Sequence, residues 1–251
     1  MVFSNSKYSL MSEKPVTIHQ PDFMPWLGFF VKVLRSGTFV VLDHVQNNVK
    51  DGSWFRRVRF QASGKPSWVS VPLDRPESGP FLPLNEMKVS GGVATTRLFE
   101  KYKKTIQQTY ARAPYFDEFF PLFSAYMDSE TASLMERNMA FNMAVLDLLE
   151  FEGKVVYSSQ LGLTSSSNQL LIDILKATDA KTYLCGDGAD GYQDDTLFED
   201  AGISVVRNNF KPVPYPQVGT KEFLPGLSIL DALFNLGAAG TRALIVSQDR
   251  L

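Results

Sequence analysis

The sequence predicts an α/β fold: a largely parallel sheet with helices on both faces, a β-hairpin excursion and a central helical insert. Three observations predict it. Short apolar, β-branched runs alternate with amphipathic helical patterns at both ends of the chain. A run alternating Trp, Arg and apolar residues interrupts the first such unit, and a long stretch of helical periodicity separates the two halves.

Residues 16–18, Val-Thr-Ile, open the first strand, which His19-Gln20-Pro21 ends. "PWLGFFVKVLRSG" from Pro25 suits a helix with Leu27, Phe30, Val31 and Leu34 on one face. Pro25 stands near its start and Gly37 beyond its end, the usual asymmetry of helix boundaries. "TFVVLD" (38–43) is an almost wholly apolar strand, as expected where both sheet faces are covered, and it should run parallel to the first. Residues 54–73 alternate across a Ser-Gly-Lys-Pro turn and read as a hairpin. A Pro/Gly/Ser-rich loop follows (74–92), with a short strand expected at 86–89. The insert at 93–152 carries apolar stripes such as Leu98, Tyr102 and Ile106. Strands at 154–158, 182–185 and 203–207 then alternate with helices at 166–177 and near 192–201, and "LSILDALFNLG" is a last helix. Residues 1–14 read as a loose tail and 15–251 as a single domain.

The chain has 251 residues, a net charge of −2 and a single cysteine. That charge supplies no basic field, so bulk nucleic-acid binding is disfavoured. One cysteine precludes an intrachain disulfide and fits a reducing, cytoplasmic setting. No window approaches the roughly 18–20 apolar residues of a membrane span, and the N-terminus lacks the pattern of a secretory signal.

Ligands of open parallel sheets bind outside the carboxyl ends of the strands. His19 and Gln20, Asp43 and His44, Ser158 and Ser159, and Cys185, Gly186 and Asp187 all stand at expected strand ends. Two imidazoles beside a carboxylate suit general acid–base chemistry, so His19, Asp43 and His44 are the catalytic candidates. Strand ends are polar in any fold, and His19 equally suits a hydrogen bond to a loop. "CGDGADGYQDD" (185–195) is a strand, a glycine-rich turn and a helix start, without phosphate-loop spacing. Its aspartates suit sugar hydroxyls or an ammonium group. Arg57 and Arg59 share one hairpin face and could clamp a diphosphate, with Trp54 and Trp68 near enough for a base to stack. Gln20, Trp26, Gln46, Trp54, Arg57, Arg59, Tyr183, Cys185, Gly186, Asp187 and Tyr192 are therefore the substrate-binding candidates. Zinc-ligand spacing and the GxSxG elbow are absent.

The stretch "IHQPDFMPWLGFFVKVLRSGTFVVLDHVQ" resembles the opening signature of the WbqC-like proteins. The resemblance continues through "SWFRRVRF", "WVSVPL", "YARAPYFDEFFP", "SSQLGL", "TYLCGDGADGY", "LFEDAGISV", "PYPQ" and "LSILDALFNLG", in order from about residue 15 to 237. It implies a role in bacterial surface-polysaccharide (O-antigen type) biosynthesis, as a transferase attaching an acyl or aminoacyl group to an amino sugar. One departure is Cys185 in Tyr183-Leu184-Cys185-Gly186, where the family has serine.

The leading expectation is amide formation on a nucleotide-linked amino sugar. His19 takes the amine proton, Asp43 orients it, and Arg57 with Arg59 holds the diphosphate. The resident cofactor is left open; an acyl-thioester donor, with an acyl carrier protein as partner, is the candidate co-substrate. A nucleotidyl transferase using Mg²⁺ and a non-catalytic glycan-binding subunit are the alternatives.

Overall fold

A computed structural model describes residues 14–49, 53–77, 79–188 and 193–248. The expected tail lies, but for Lys14, outside them. In chain order the first elements are β1 (Val16–His19), α1 (Leu27–Leu34), β2 (Thr38–Val41) and β3 (Gln46–Asn48). The hairpin strands β4 (Arg57–Ala62) and β5 (Lys65–Ser70) follow, then β6 (Phe81–Pro83). Three helices come next: α2 (Val93–Tyr110), α3 (Phe116–Met127) and α4 (Leu134–Leu148). The chain closes with β7 (Lys154–Tyr157), α5 (Ser167–Ala177), β8 (Thr182–Cys185), α6 (Asp195–Asp200), β9 (Ser204–Arg207) and α7 (Ile229–Val246).

The fold is α/β. The described residues group into two compact units, one drawn from 14–20, 31–42 and 151–210, the other from 21–30, 43–150 and 211–248.

The first unit is built on a five-stranded sheet in the order β7-β2-β1-β8-β9. Every pairing in it is parallel. The apolar, β-branched strands bury Val16, Ile18, Phe39, Val40, Val41 and Leu184. Thr17 is buried among them, and its hydroxyl donates to the Leu184 carbonyl at 2.8 Å, tying β1 to β8. Taken in chain order, the strands stand third, second, first, fourth, fifth across the sheet. The order therefore reverses between β1 and β8, and such a reversal leaves a crevice at the carboxyl ends of those two strands.

The second unit carries the expected hairpin. Ser63 and Gly64, both at positive φ (52° and 74°), form its two-residue turn, as the twist of paired strands favours. Val58 and Phe60 point into the core, and Arg57 and Arg59 lie on the other face of β4. Phe60 meets Tyr110 and Phe123 at ring distances of 6.5 and 5.6 Å, which seats the hairpin against α2 and α3. The strand expected at 86–89 is instead a 3₁₀ turn (Leu84–Glu86) followed by single bridges from Leu73 to Val89 and from Lys88 to Ser133. The small β3–β6 pair, a polar Gln-Asn-Asn against Phe-Leu-Pro and only three residues long on each side, has too little alternation to be seen in the sequence.

The length and apolarity of a membrane span, which the sequence reading finds nowhere, are met by α7, with a mean hydropathy of 1.4. Half of that window is buried inside the protein. The helix is also broken at Gly237 (φ 71°, ψ 178°), where the sequence places its end. It carries the wholly buried Asp231, bonded to Tyr110 and Tyr215. A kinked helix whose acidic residue is bonded within its own unit is a core helix.

Candidate functional site

His19 ends β1 and sits at the reversal point. Its Nδ1 lies 3.0 Å from the Gln20 carbonyl, to which a protonated Nδ1 donates, so that Nε2 carries the ring lone pair. Burial, followed by the field of Lys32, lowers its pKa to about 3. A base with a pKa near 7, as amine chemistry at neutral pH favours, is not what these surroundings provide. The imidazole is held neutral instead.

Lys32 is the reason the field exists. It stands on α1 among Phe29, Phe30, Val31 and Val33, is itself only 3% exposed, and donates from Nζ to the Ile18 carbonyl at 3.1 Å. Across the reversal, Gly186 leaves β8 beside it: a Cβ built there would lie 3.8 Å from Lys32 Nζ. Cys185, the last residue of β8, is fully buried and accepts from Arg207 Nη1 at 2.9 Å. Arg207 ends β9 and places Nη2 2.8 Å from Asp195 Oδ2. Burial pushes the Cys185 thiol up, against the pull of Arg207. Asp187 accepts from the backbone N–H groups of Asn209 and Phe210 at 2.6 and 3.1 Å, so it braces the chain after β9. Tyr183, expected to line a sugar, is buried with its ring stacked 5.6 Å from Phe198. Tyr192 lies outside the described residues.

The remaining candidates belong to the second unit. Asp43 is 2% exposed and stands 3.8 Å from His44 Nδ1, an imidazole–carboxylate pair of adjacent residues. Gln46 is exposed on β3. The three tryptophans of the chain form one array. Trp26 stacks on Trp54 at 6.3 Å, and Trp54 meets Trp68 at 5.7 Å. Trp54 and Trp68 are 37% and 43% exposed, an unusual openness for so much apolar surface. The guanidinium carbons of Arg57 and Arg59 lie 4.3 and 5.7 Å from the centre of the Trp68 ring. Gly28 makes the array fit: a Cβ there would come within 2.5 Å of the Trp26 ring. Arg59 is packed more tightly than a free clamp would be, since a Cβ at Gly226 would lie 2.5 Å from its Nη2.

The sequence profile of the WbqC-like protein family matches residues 20–243. The chain belongs to the WbqC-like family. A relative from Mycobacterium tuberculosis (strain ATCC 25618 / H37Rv), named as uncharacterized protein Rv1507c, is 26% identical over 228 residues, covering 90% of this chain and 95% of that one. No solved structure matches.

In this WbqC-like chain the sheet rim brings together His19, Cys185, Gly186 and Asp187. Lys32 and Arg207 escaped the sequence reading. Lys32 had a visible signal, a single charge inside the apolar run "LGFFVKVL". Arg207 had none, because the last residue of a strand takes its meaning from the strand beside it.

Proposed function

We propose that this WbqC-like protein is a cytoplasmic transferase of bacterial surface-polysaccharide (O-antigen type) biosynthesis, forming an amide on a nucleotide-linked amino sugar. The observation that carries this reading is the open Trp54–Trp68 surface with Arg57 and Arg59 over its ring. Flat aromatic faces accept a base or a sugar ring, and guanidinium forks match diphosphate oxygens. The sheet rim of the first unit independently offers an imidazole in its basic form.

In the reaction the sugar amine attacks the acyl carbon of a thioester. The N–C bond forms, the C–S bond breaks, the amine proton passes to a base, and the thiol leaves. His19 serves as that base, and the negative charge of a bound substrate raises its basicity by offsetting the field of Lys32, the second cause of its lowered pKa after burial. An acyl carrier protein or coenzyme A supplies the thioester.

The strand order of the first unit favours a second reading, nucleotidyl transfer, because nucleotides bind at such reversals. Thermal denaturation against nucleotide-linked amino sugars, their hydroxyl counterparts, nucleoside triphosphates with Mg²⁺, and acyl-coenzyme A separates the two. A ligand at 100 times its Kd adds about 2.7 kcal/mol of stability. A shift with amino sugars that is absent with hydroxyl sugars supports amide transfer. A shift with triphosphate and Mg²⁺ alone replaces it with nucleotidyl transfer. Binding of the amino sugar with no turnover on any acyl donor leaves a glycan-binding subunit.

A further inference from the structure

We infer that residues 217–226 form a fixed wall of the Trp68–Arg59 surface, and that Gln217 is the positioning residue that holds this wall and, through it, the Arg59 guanidinium. The inference rests on the reading of that surface as the seat of an anionic substrate, and adds to it the residue that shapes the seat.

The sequence of the wall is stiff at both ends. Pro212, Pro214 and Pro216 lead into it and Pro225 closes it, each fixing φ at its position. Its left-handed positions fall on Gly219 and Gly226 (φ 76° and 68°), the residue type that adopts them without strain. Between these ends Gln217 closes the segment on itself. Its Oε1 accepts from Leu224 N at 2.8 Å and its Nε2 donates to the Leu224 carbonyl at 3.1 Å. One side chain thus does here what cross-strand pairing does in a hairpin. The same Nε2 donates to Asp231 Oδ1 at 2.8 Å, which fastens the closed segment to the first turn of α7. Tyr215 bonds the same oxygen and packs its ring 5.3 Å from Phe223, so the entry is held as well. A compact surface loop with its ends tied in this way keeps one shape.

Where the wall stands follows from the hairpin. Arg59 and Trp68 are direct cross-strand partners, so their side chains share one face, and Gln61 follows on that face. The segment covers the face at Gln61, whose Nε2 donates to the Val218 carbonyl at 2.9 Å. A Cβ at Gly219 would lie 3.0 Å from that Nε2, and Val218 N donates to Asn235 Oδ1 at 2.8 Å. The chain then returns along β4, where Ser228 N donates to the Arg59 carbonyl at 2.8 Å. Gly226 lies midway between Leu224, which Gln217 holds, and Ser228, which β4 holds. Its backbone backs the Arg59 guanidinium, since a Cβ there would come 2.5 Å from Nη2. The cover ends at Trp68: Gln61 is 2% exposed and Trp68 43%. One side of the shared face is therefore walled and the other open to a ligand. An arginine held before the ligand arrives loses less freedom on binding, which is why the bonds of Gln217 bear on affinity.

The test compares wild type with Gln217→Ala and Gln217→Glu in three readouts. These are trypsin cleavage after the exposed Lys221 within the wall, tryptophan emission without ligand, and calorimetric affinity for inorganic pyrophosphate and uridine diphosphate. In Gln217→Ala, cleavage after Lys221 should quicken about tenfold or more, as a released loop opens more often. Emission should shift as Arg59 moves relative to Trp68, and affinity for both anions should fall about threefold to tenfold, the cost of ordering a long side chain on binding. In an Arg59→Ala background the same substitution should no longer change anion affinity, because Gln217 acts through Arg59. Gln217→Glu is the conservative control. Its protonated carboxyl keeps a donor and an acceptor, whereas the ionised form faces Asp231. Relative to wild type at the same pH, it should match wild type in emission and affinity near pH 5 and match Gln217→Ala near pH 8. A lowered melting temperature with all three readouts unmoved assigns Gln217 to stability alone and overturns the inference. An equal loss of affinity in the Arg59→Ala background overturns it too. Should Gln217→Ala not fold, Gln217→Glu at the two pH values decides. Cleavage and emission that respond to Gln217 in a protein binding neither anion keep the wall and remove the substrate reading of the surface; anion binding indifferent to Gln217 does the opposite.

Discussion

Tyr110 Oη donates to Asp231 Oδ2 at 2.8 Å, a buried bond between the last turn of α2 and the first turn of α7. Tyr215 Oη and Gln217 Nε2 donate to the other carboxyl oxygen at 2.7 and 2.8 Å, and Gln61 N donates to Tyr110 Oη at 3.2 Å. Burial raises the Asp231 pKa against the pull of the three donors. An acid with a raised folded-state pKa contributes stability that is present below its unfolded value and is lost as pH rises through the folded one. Asp231→Ala leaves three buried donors without an acceptor and should cost about 3 kcal/mol or more in urea denaturation. Asp231→Asn retains one acceptor oxygen and should cost less, with the difference from wild type narrowing as pH rises.

His19 has the opposite linkage. Its folded pKa, lowered to about 3, lies below the unfolded value of 6.5, so the unfolded chain binds the proton first on acidification. The stability it contributes is whole above pH 6.5 and is lost as pH falls toward 3, by at most about 1.4 kcal/mol per unit. His19→Gln should flatten the acid limb of a stability–pH curve over that window. Parallel curves for the variant and wild type would contradict the lowered pKa.

Because all three tryptophans belong to one array, intrinsic fluorescence reports on a single surface. A nucleotide-linked sugar that stacks there should quench or shift the emission saturably. Trp68→Ala removes the ring under Arg57 and should weaken binding about tenfold or more, with a melting temperature close to wild type because the side chain is exposed. Unchanged affinity in that variant would take the array out of substrate recognition.

Gly226 has φ +68°, and a Cβ there would meet Arg59 Nη2 at 2.5 Å. Gly226→Ala should therefore destabilise by about 1–3 kcal/mol and displace the Arg59 guanidinium. Since Arg59 lies near Trp68, the emission spectrum of the variant should change even without ligand.

Cys185 is buried and its thiol is pushed up. Iodoacetamide should label the native protein slowly and the urea-unfolded protein fast. Cys185→Ser supplies the residue that the family resemblance leads one to expect and should retain whatever turnover the wild type shows. Rapid native labelling, or loss of turnover in the serine variant with ligand binding kept, would make Cys185 a nucleophile.

Local signals carried much of the architecture. Val16–His19 and Thr38–Val41 are legible because β-branched runs between turn residues specify strands, and Ser63-Gly64 because only a few residues accept two positive φ angles. The helix break at Gly237 was legible for the same reason. Elements held by cross-chain pairing were not: β3 and β6 become strands only by meeting each other.

The sequence by itself determined the α/β class, the hairpin with Arg57 and Arg59 on one face, and His19 at a strand end, because each follows from periodicity and backbone preference within a few residues. Only the tertiary structure decided that the sheet reverses between β1 and β8, that Lys32 is buried there, and that its field with burial holds His19 neutral. Strand order and burial arise from contacts between residues far apart in the chain. An imidazole's basicity is a property of that surrounding, which no local pattern encodes.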